Sequence, residues 1–211
     1  MLMRTLFIEA SYSKKIKLPR SIEKKLPKKI GLVSSIQFLK NLPLIKNQLK
    51  NKKVLIAGKV LGCNVKRAEK IKNIVDAFLY IGDGKFHPLG VAIKTKKPVF
   101  VYNPLQKSFY KIEKEELEQY LKRKKGALIR FLKAGIVGVI ISTKPGQYYP
   151  IEKLGFLKRK YPKKRFYLFL ADTIDYNQLE NFPFIEAWIN TACPRIDEDI
   201  KIINISDLDC S

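Results

Sequence analysis

Short apolar runs that alternate with longer amphipathic stretches constrain this chain more than any other feature. Thr5 to Ala10, Ile30 to Ser34, Val54 to Ala57, Ala77 to Ile81 and Val99 to Tyr102 are rich in β-branched and aromatic residues and are closed by Gly, Asn or Ser. Such runs predict buried strands. Ile36 to Leu49, Val65 to Asn73 and Pro88 to Thr95 lie between them with helical spacing. A second cycle follows the charged helix expected over Lys114 to Lys133, with strands at Ile136 to Ser142, Phe166 to Ala171 and Ile185 to Asn190, a helix over Ile151 to Tyr161, and a short last strand at Ile202 to Ile205. This is a βαβ rhythm read twice, so the expected fold class is α/β, with two tandem, structurally similar parallel-sheet domains. The polar stretch Gln106 to Glu113, after the Asn103-Pro104 turn, reads as their boundary.

The two halves read as copies of one plan. In each, a strand runs into a Gly-containing polar loop: Tyr80-Ile81-Gly82-Asp83-Gly84 in the first, Ile141-Ser142-Thr143-Lys144-Pro145-Gly146-Gln147 in the second. Loops at the carboxyl ends of parallel strands are where such folds bind ligands.

Composition narrows the class of protein. No apolar run approaches the roughly 18 residues of a membrane span, and the N-terminus lacks the apolar stretch of a cleaved signal, so a cytoplasmic protein is expected. Three cysteines, Cys63, Cys193 and Cys210, are too few and too odd for a secreted disulfide framework. The net charge is +23, unevenly spread: residues 171–211 hold nine acidic and two basic side chains, residues 1–170 ten acidic and forty basic. A surface this basic attracts nucleic acid or an acidic protein, although a generally lysine-rich composition explains the scattered lysines equally well.

Familiar active-site motifs are absent. There is no G-x-x-x-x-G-K-S/T loop and no G-x-G-x-x-G opening a helix. A zinc site needs closely spaced Cys/His pairs, whereas Cys63 and Cys193 are far apart and His87 is the one histidine. A serine triad needs a histidine base and an elbow such as G-x-S-x-G, and the elbow is missing; the RNA-recognition signature is missing too.

Five ordered segments carry a resemblance instead: Val60-Leu61-Gly62-Cys63-Asn64, Tyr80-Ile81-Gly82-Asp83-Gly84-Lys85-Phe86-His87-Pro88, Pro98 to Pro104, Ser142 to Gln147, and Trp188-Ile189-Asn190-Thr191-Ala192-Cys193-Pro194-Arg195-Ile196. From about Leu6 onward the chain resembles the archaeal 2-(3-amino-3-carboxypropyl)histidine synthases, the first enzymes of diphthamide biosynthesis. The resemblance implies a non-standard radical enzyme in which three cysteines, one from each of three similar α/β domains, hold a 4Fe-4S cluster. S-adenosylmethionine occupies the fourth iron, and its 3-amino-3-carboxypropyl group passes to a histidine of elongation factor 2. Cys63 and Cys193 match the metal ligands of the second and third domains.

The family's first domain, with its cysteine, is not represented. On this reading residues 1–20 are a segment from the first-domain junction, 21–110 the middle domain carrying Cys63, and 111–211 the C-terminal domain carrying Cys193. Three explanations stand side by side: a separate chain supplies the first domain and third ligand, Cys210 replaces it, or the chain is a non-catalytic partner subunit. A homo- or hetero-oligomer is expected, with no membrane partner. Cofactor contacts are expected at Gln37, Asp83, His87, Ser142, Thr143, Lys144, Gly146, Gln147 and Arg195. Within these, Lys144 and the turn amides suit a carboxylate at a helix start, and Asp83 is alternatively the cap of the helix that begins near His87. The rival from another class is a basic RNA- or ribosome-associated binding module, for which Tyr148, Tyr149 and Tyr161 would have to be exposed stacking platforms.

Overall fold

A computed structural model of the chain describes residues 6, 8, 10–194 and 202–208. The chain divides into two compact units, residues 1–117 and 118–211, each organised around its own sheet.

The first unit runs α1 (Arg20–Lys25), β1 (Lys29–Ser34), a 3-10 turn over Ile36–Asn41, α2 (Leu42–Gln48), β2 (Lys53–Lys59), α3 (Lys66–Ile71), β3 (Ala77–Ile81), α4 (Phe86–Thr95), β4 (Val99–Asn103) and β5 (Ser108–Lys111). Its sheet has the order β2-β1-β3-β4-β5. The first four strands are parallel and β5 is antiparallel to β4. Helices cover both faces, which is why the central strands read as unbroken apolar runs. Ile30, Leu32, Leu79 and Ile81 pack with Phe38, Leu42 and Ile45 on one side. On the other, Val33, Phe78 and Tyr80 pack with Val65, Leu89 and Val91. Ahead of α1 the chain lies as an extended strap across α2. Side-chain amides serve it as a neighbouring strand would: Ile16 N–H donates to Asn41 Oδ1 (3.0 Å), Leu18 N–H to Gln48 Oε1 (2.8 Å), and Gln48 Nε2 back to Ile16 O (2.8 Å).

Helix α5 (Lys114–Lys133) starts in the first unit and continues in the second, followed by β6 (Ile136–Ser142), a 3-10 turn over Ile151–Leu154, α6 (Gly155–Lys160), β7 (Arg165–Ala171), a 3-10 turn over Tyr176–Asn181, β8 (Ala187–Asn190), β9 (Ile202–Asn204) and α7 (Ile205–Leu208). The second sheet, β7-β6-β8-β9, is parallel throughout. Ala127 and Phe131 of α5 and Leu154 and Leu157 pack on Val137, Val139 and Ile141. The opposite face carries an aromatic cluster in which Phe169 lies 4.7 Å from both Phe182 and Trp188, ring centre to ring centre. Among the described residues no helix is long and apolar enough to cross a membrane.

The repeat is visible in the topology. Each half places its first strand centrally, its second at one edge and its third and fourth on the far side, and in each a 3-10 turn then a short α-helix follows the first strand. The loops correspond differently from the sequence pairing, however. Ser142–Gln147 follows a first strand, so its counterpart is the segment after Ser34, whereas Gly82–Gly84 follows a third strand and corresponds to the Cys193 loop.

Two expectations for individual elements change. Ser108–Lys111, read as part of a linker, is a strand, because pairing with β4 supplies the order that its half-polar sequence does not. In the expected strand Thr5 to Ala10, the described residues Leu6, Ile8 and Ala10 are irregular and exposed. Thr5, Phe7 and Glu9 lie outside the described residues.

Candidate functional site

Cys63 stands at the tip of a tight turn just beyond β2. Leu61 and Asn64 exchange both backbone hydrogen bonds, Leu61 N to Asn64 O at 3.1 Å and Asn64 N to Leu61 O at 3.0 Å, which leaves Gly62 and Cys63 as the turn's two central residues with the thiol exposed. Helix α4 grips this turn. Gly62 N–H donates to His87 Nδ1 at 2.8 Å. A Cβ on Gly62 would stand 2.2 Å from the Phe86 ring, and one on Gly90 would stand 2.5 Å from the Gly62 carbonyl oxygen. Phe86 and Gly90, four apart, share a helix face, so two bare Cα positions let turn and helix meet backbone to backbone.

The neighbouring loops are also built from short polar contacts. Asp83 Oδ1 accepts from Gly84 N (2.7 Å) and from Asn103 Nδ2 (3.0 Å). It therefore ties the β3 loop to β4 and does not cap α4, whose cap position is Lys85 with no side-chain bond. Lys85 pairs with Glu116, whose hydrogen bond and charge raise the lysine pKa. Asp83, Lys85, Asn103, Gln106, Tyr110 and Glu116 line an open polar groove of about 550 Å³. Gln37, in the 3-10 turn after β1, is exposed, and its carbonyl accepts from Tyr12 N at 2.8 Å. Ser34 and Ser35, at the end of β1 where the strand order switches direction, hold buried hydroxyls without a hydrogen-bond partner among the described residues.

In the second unit, Cys193 follows β8 in a loop shaped by Asn190 and Thr191. Asn190, fully buried, accepts from Ala192 N at Oδ1 (2.9 Å) and donates from Nδ2 to Cys193 O (3.2 Å) and Asn204 Oδ1 (2.9 Å). Thr191 donates to Ile140 O from both N (3.1 Å) and Oγ1 (2.9 Å). The thiol is half-buried. Neither Asn190 nor Thr191 stands out in the sequence reading, although a side chain bonding its own backbone two residues on is a local signal at a strand end.

The Ser142 to Gln147 loop lies after β6, beside β8 in the sheet. Ser142 Oγ accepts from Lys144 N (3.2 Å), Gln147 N donates to Lys144 O (3.0 Å), and Gly146 takes φ 80°. Thr143 and Gly146 are exposed, Lys144 and Gln147 half-buried. The expected helix start is not here: Tyr148 to Pro150 is irregular and the next helical turn begins at Ile151. Pro150 disfavours helical backbone at Tyr149, so this loop gains no helix dipole.

Cys63 and His87 thus meet through Gly62 in the first unit, while Ser142 to Gln147 and Cys193 occupy adjacent strand ends in the second. Gln37 and Asp83 sit on separate loops of the first unit. Arg195 and Cys210 lie outside the described residues. Among the described residues no three His, Cys, Asp or Glu side chains form a group that could hold a metal. For the RNA-binding rival, Tyr161 stacks edge-on against the buried Phe131 at 4.9 Å and Tyr149 packs on the same core; Tyr148 alone of the three is exposed.

Comparison with known proteins bears on this arrangement. Curated relatives include 2-(3-amino-3-carboxypropyl)histidine synthase of Methanocaldococcus jannaschii, 35% identical over 83% of this chain and 48% of its own length. The synthase of the same name from Pyrococcus horikoshii is 32% identical, over 83% of this chain and 53% of its own. The chain spans about half the length of these curated relatives. The crystal structure of Dph2 from Pyrococcus horikoshii with a 4Fe-4S cluster superposes with a TM-score of 0.73 at 28% identity, covering 90% of this chain and 58% of that one. The family model described as "Putative diphthamide synthesis protein" matches residues 2–201, and the chain belongs to that family.

Proposed function

We propose that this chain supplies Cys63 and Cys193 as two thiolate ligands of a 4Fe-4S cluster. In that role it serves the transfer of the 3-amino-3-carboxypropyl group from S-adenosylmethionine to a histidine of elongation factor 2. A separate chain brings the family's first domain and the third cysteine. The observation that carries this reading is that both cysteine turns are fully built: each ends a strand of a parallel sheet, and each is fixed by contacts to its own backbone.

The donor set fits the group in kind. Thiolates are the ligands of such clusters, one to an iron, and neither Cys63 nor Cys193 is held in a disulfide among the described residues. Two thiolates leave two irons to be satisfied, one by the partner's cysteine and one by the cosubstrate. When bound and reduced, the cluster supplies the electron that cleaves the bond from sulfur to the γ-carbon of the methionine moiety.

This chain's own residues bind and orient. Lys144 offers the charge for the cosubstrate carboxylate, with Thr143, Gly146 and Gln147 beside it and Arg195 assigned to the same end. Gln37 and the buried Ser34 and Ser35 hydroxyls give the first sheet polar groups at its carboxyl end. The basic stretches Lys14 to Lys29 and Lys158 to Arg165 suit docking to an acidic surface of the substrate protein or of the first-domain chain.

The test is iron and sulfide content after anaerobic reconstitution of the chain alone and with a first-domain chain, followed by transfer of the labelled 3-amino-3-carboxypropyl group from carboxyl-labelled S-adenosylmethionine to elongation factor 2, with release of methylthioadenosine. A four-iron cluster and labelled factor only in the mixture support the reading. A stable cluster on the lone chain shifts the third ligand to Cys210 or to an external ligand. Absence of iron in both, with salt-sensitive RNA binding, replaces the reading with the binding module.

A further inference from the structure

We propose that His87 is a positioning residue for the Cys63 turn, acting through the Gly62 amide. The inference rests on the ligand reading of Cys63 above, and adds how that ligand is held before any metal arrives.

An exposed two-residue turn is a poor metal ligand unless something fixes it, because each backbone ordered on binding subtracts from affinity. Here the ordering is done in advance. His87 lies in the first turn of α4, its ring 6.2 Å from the Tyr80 ring and 5.6 Å from that of Phe86. Tyr80 is fully buried and Phe86 nearly so, so the imidazole stands against rigid walls. Its Nδ1 accepts the Gly62 N–H at 2.8 Å, which makes the ring neutral with its proton on Nε2. Phe86 and Gly90 close on Gly62 from the same helix. The residue immediately before Cys63 is therefore held by one directional bond and two packing contacts, added to the Leu61–Asn64 backbone pair that closes the turn. An imidazole whose Nδ1 is committed to the loop amide acts on the centre through Cys63.

Three full-length proteins test this: wild type, His87→Leu, which keeps bulk and loses the acceptor, and His87→Asn, whose Oδ1 falls close to the position of the imidazole Nδ1. The readouts are Gly62 amide exchange, alkylation of Cys63 by iodoacetamide with Cys193 as internal reference, and iron release to a chelator after reconstitution with the first-domain chain. In His87→Leu, Gly62 exchange and iron release should each accelerate about fivefold to tenfold, the scale of one net hydrogen bond. Cys63 alkylation should rise relative to Cys193, and His87→Asn should restore all three. If His87→Leu does not fold, His87→Gln, which moves the acceptor out by one bond, makes the same comparison. Unchanged Gly62 exchange in the folded variant overturns the proposal, as does faster iron release with Gly62 exchange unchanged, which assigns His87 to the cofactor directly. A wild-type protein that takes up no iron defeats the ligand reading, while Gly62 exchange and Cys63 alkylation still decide the role of His87.

Discussion

Gly90 and Gly62 touch backbone to backbone: a Cβ on Gly90 would come within 2.5 Å of the Gly62 carbonyl oxygen and 2.9 Å of its α-carbon. Gly90→Ala must push the turn off α4 or bend the helix, at a cost of about 1–3 kcal/mol. The expected result is a lower midpoint in urea unfolding together with faster iron loss. A variant with full stability and full iron retention would contradict the contact.

The two cysteines should behave alike and unlike the third. Cys63→Ala and Cys193→Ala are expected to abolish cluster retention in the reconstituted mixture, read as loss of iron and of visible absorbance, while Cys210→Ala retains it. Retention by Cys63→Ala would remove that residue from the ligand set.

Asn190 has no solvent to fall back on, being fully buried with its amide serving three partners. Asn190→Ala should destabilise by about 1–3 kcal/mol, since the groups left behind are buried too. Asn190→Asp keeps the acceptor for Ala192 N and loses both donors, so it should not rescue. Denaturant titration of the two variants checks the order.

Lys124 donates to both carboxylate oxygens of Asp207, at 2.9 and 3.0 Å. Burial by itself lowers the lysine pKa, and the hydrogen bond and charge of Asp207, with a smaller contribution from Tyr120, together outweigh it, leaving the pKa above its ordinary 10.5. A raised pKa means the folded state favours the charged lysine. The stabilisation is therefore full below pH 10.5 and fades as pH climbs through the folded value. Both side chains are about one-third exposed, so Asp207→Asn should cost only about 0.5 kcal/mol near neutrality. The gap between wild type and variant should close in strongly alkaline buffer, as followed by thermal melts.

Ser34→Ala and Ser35→Ala are expected to leave the melting temperature of the isolated chain unchanged or slightly raised. A buried hydroxyl without a partner costs desolvation and returns nothing. If these hydroxyls receive a polar group of S-adenosylmethionine, the same substitutions weaken its binding, measurable by titration calorimetry in the reconstituted mixture.

Strands β1 and β3 were legible because both their faces are buried, and a run such as Ala77 to Ile81 has few other readings. Strand β5 was not, since Ser108 to Lys111 is only half-buried and owes its order to β4 and to the turn that Asn103 Oδ1 builds by accepting from Leu105 and Gln106 N. The cysteines stood out through resemblance, not spacing. Their surroundings divide by range. Asn190 acts on residues two and three positions on, and could have been read from Asn190-Thr191-Ala192-Cys193 alone. The meeting of Gly62 with Phe86, His87 and Gly90 depends on where α4 lands on the sheet, which no local pattern encodes. The helix expected over Ile151 to Tyr161 is present, but Pro150, through its effect on Tyr149, separates its start from the Ser142 to Gln147 turn.

The shared strand order of the halves has a historical reading. Cys63 follows the second strand of its half, whereas Cys193 follows the third of its own. Were the thiol part of an ancestral module before duplication, both copies would carry it after the same strand. Descent from one module therefore requires that at least one of the two cysteines arose after the copies diverged. The pair is then younger than the scaffold, and the ancestor to look for is an α/β module with this strand order and at most one of the two thiols.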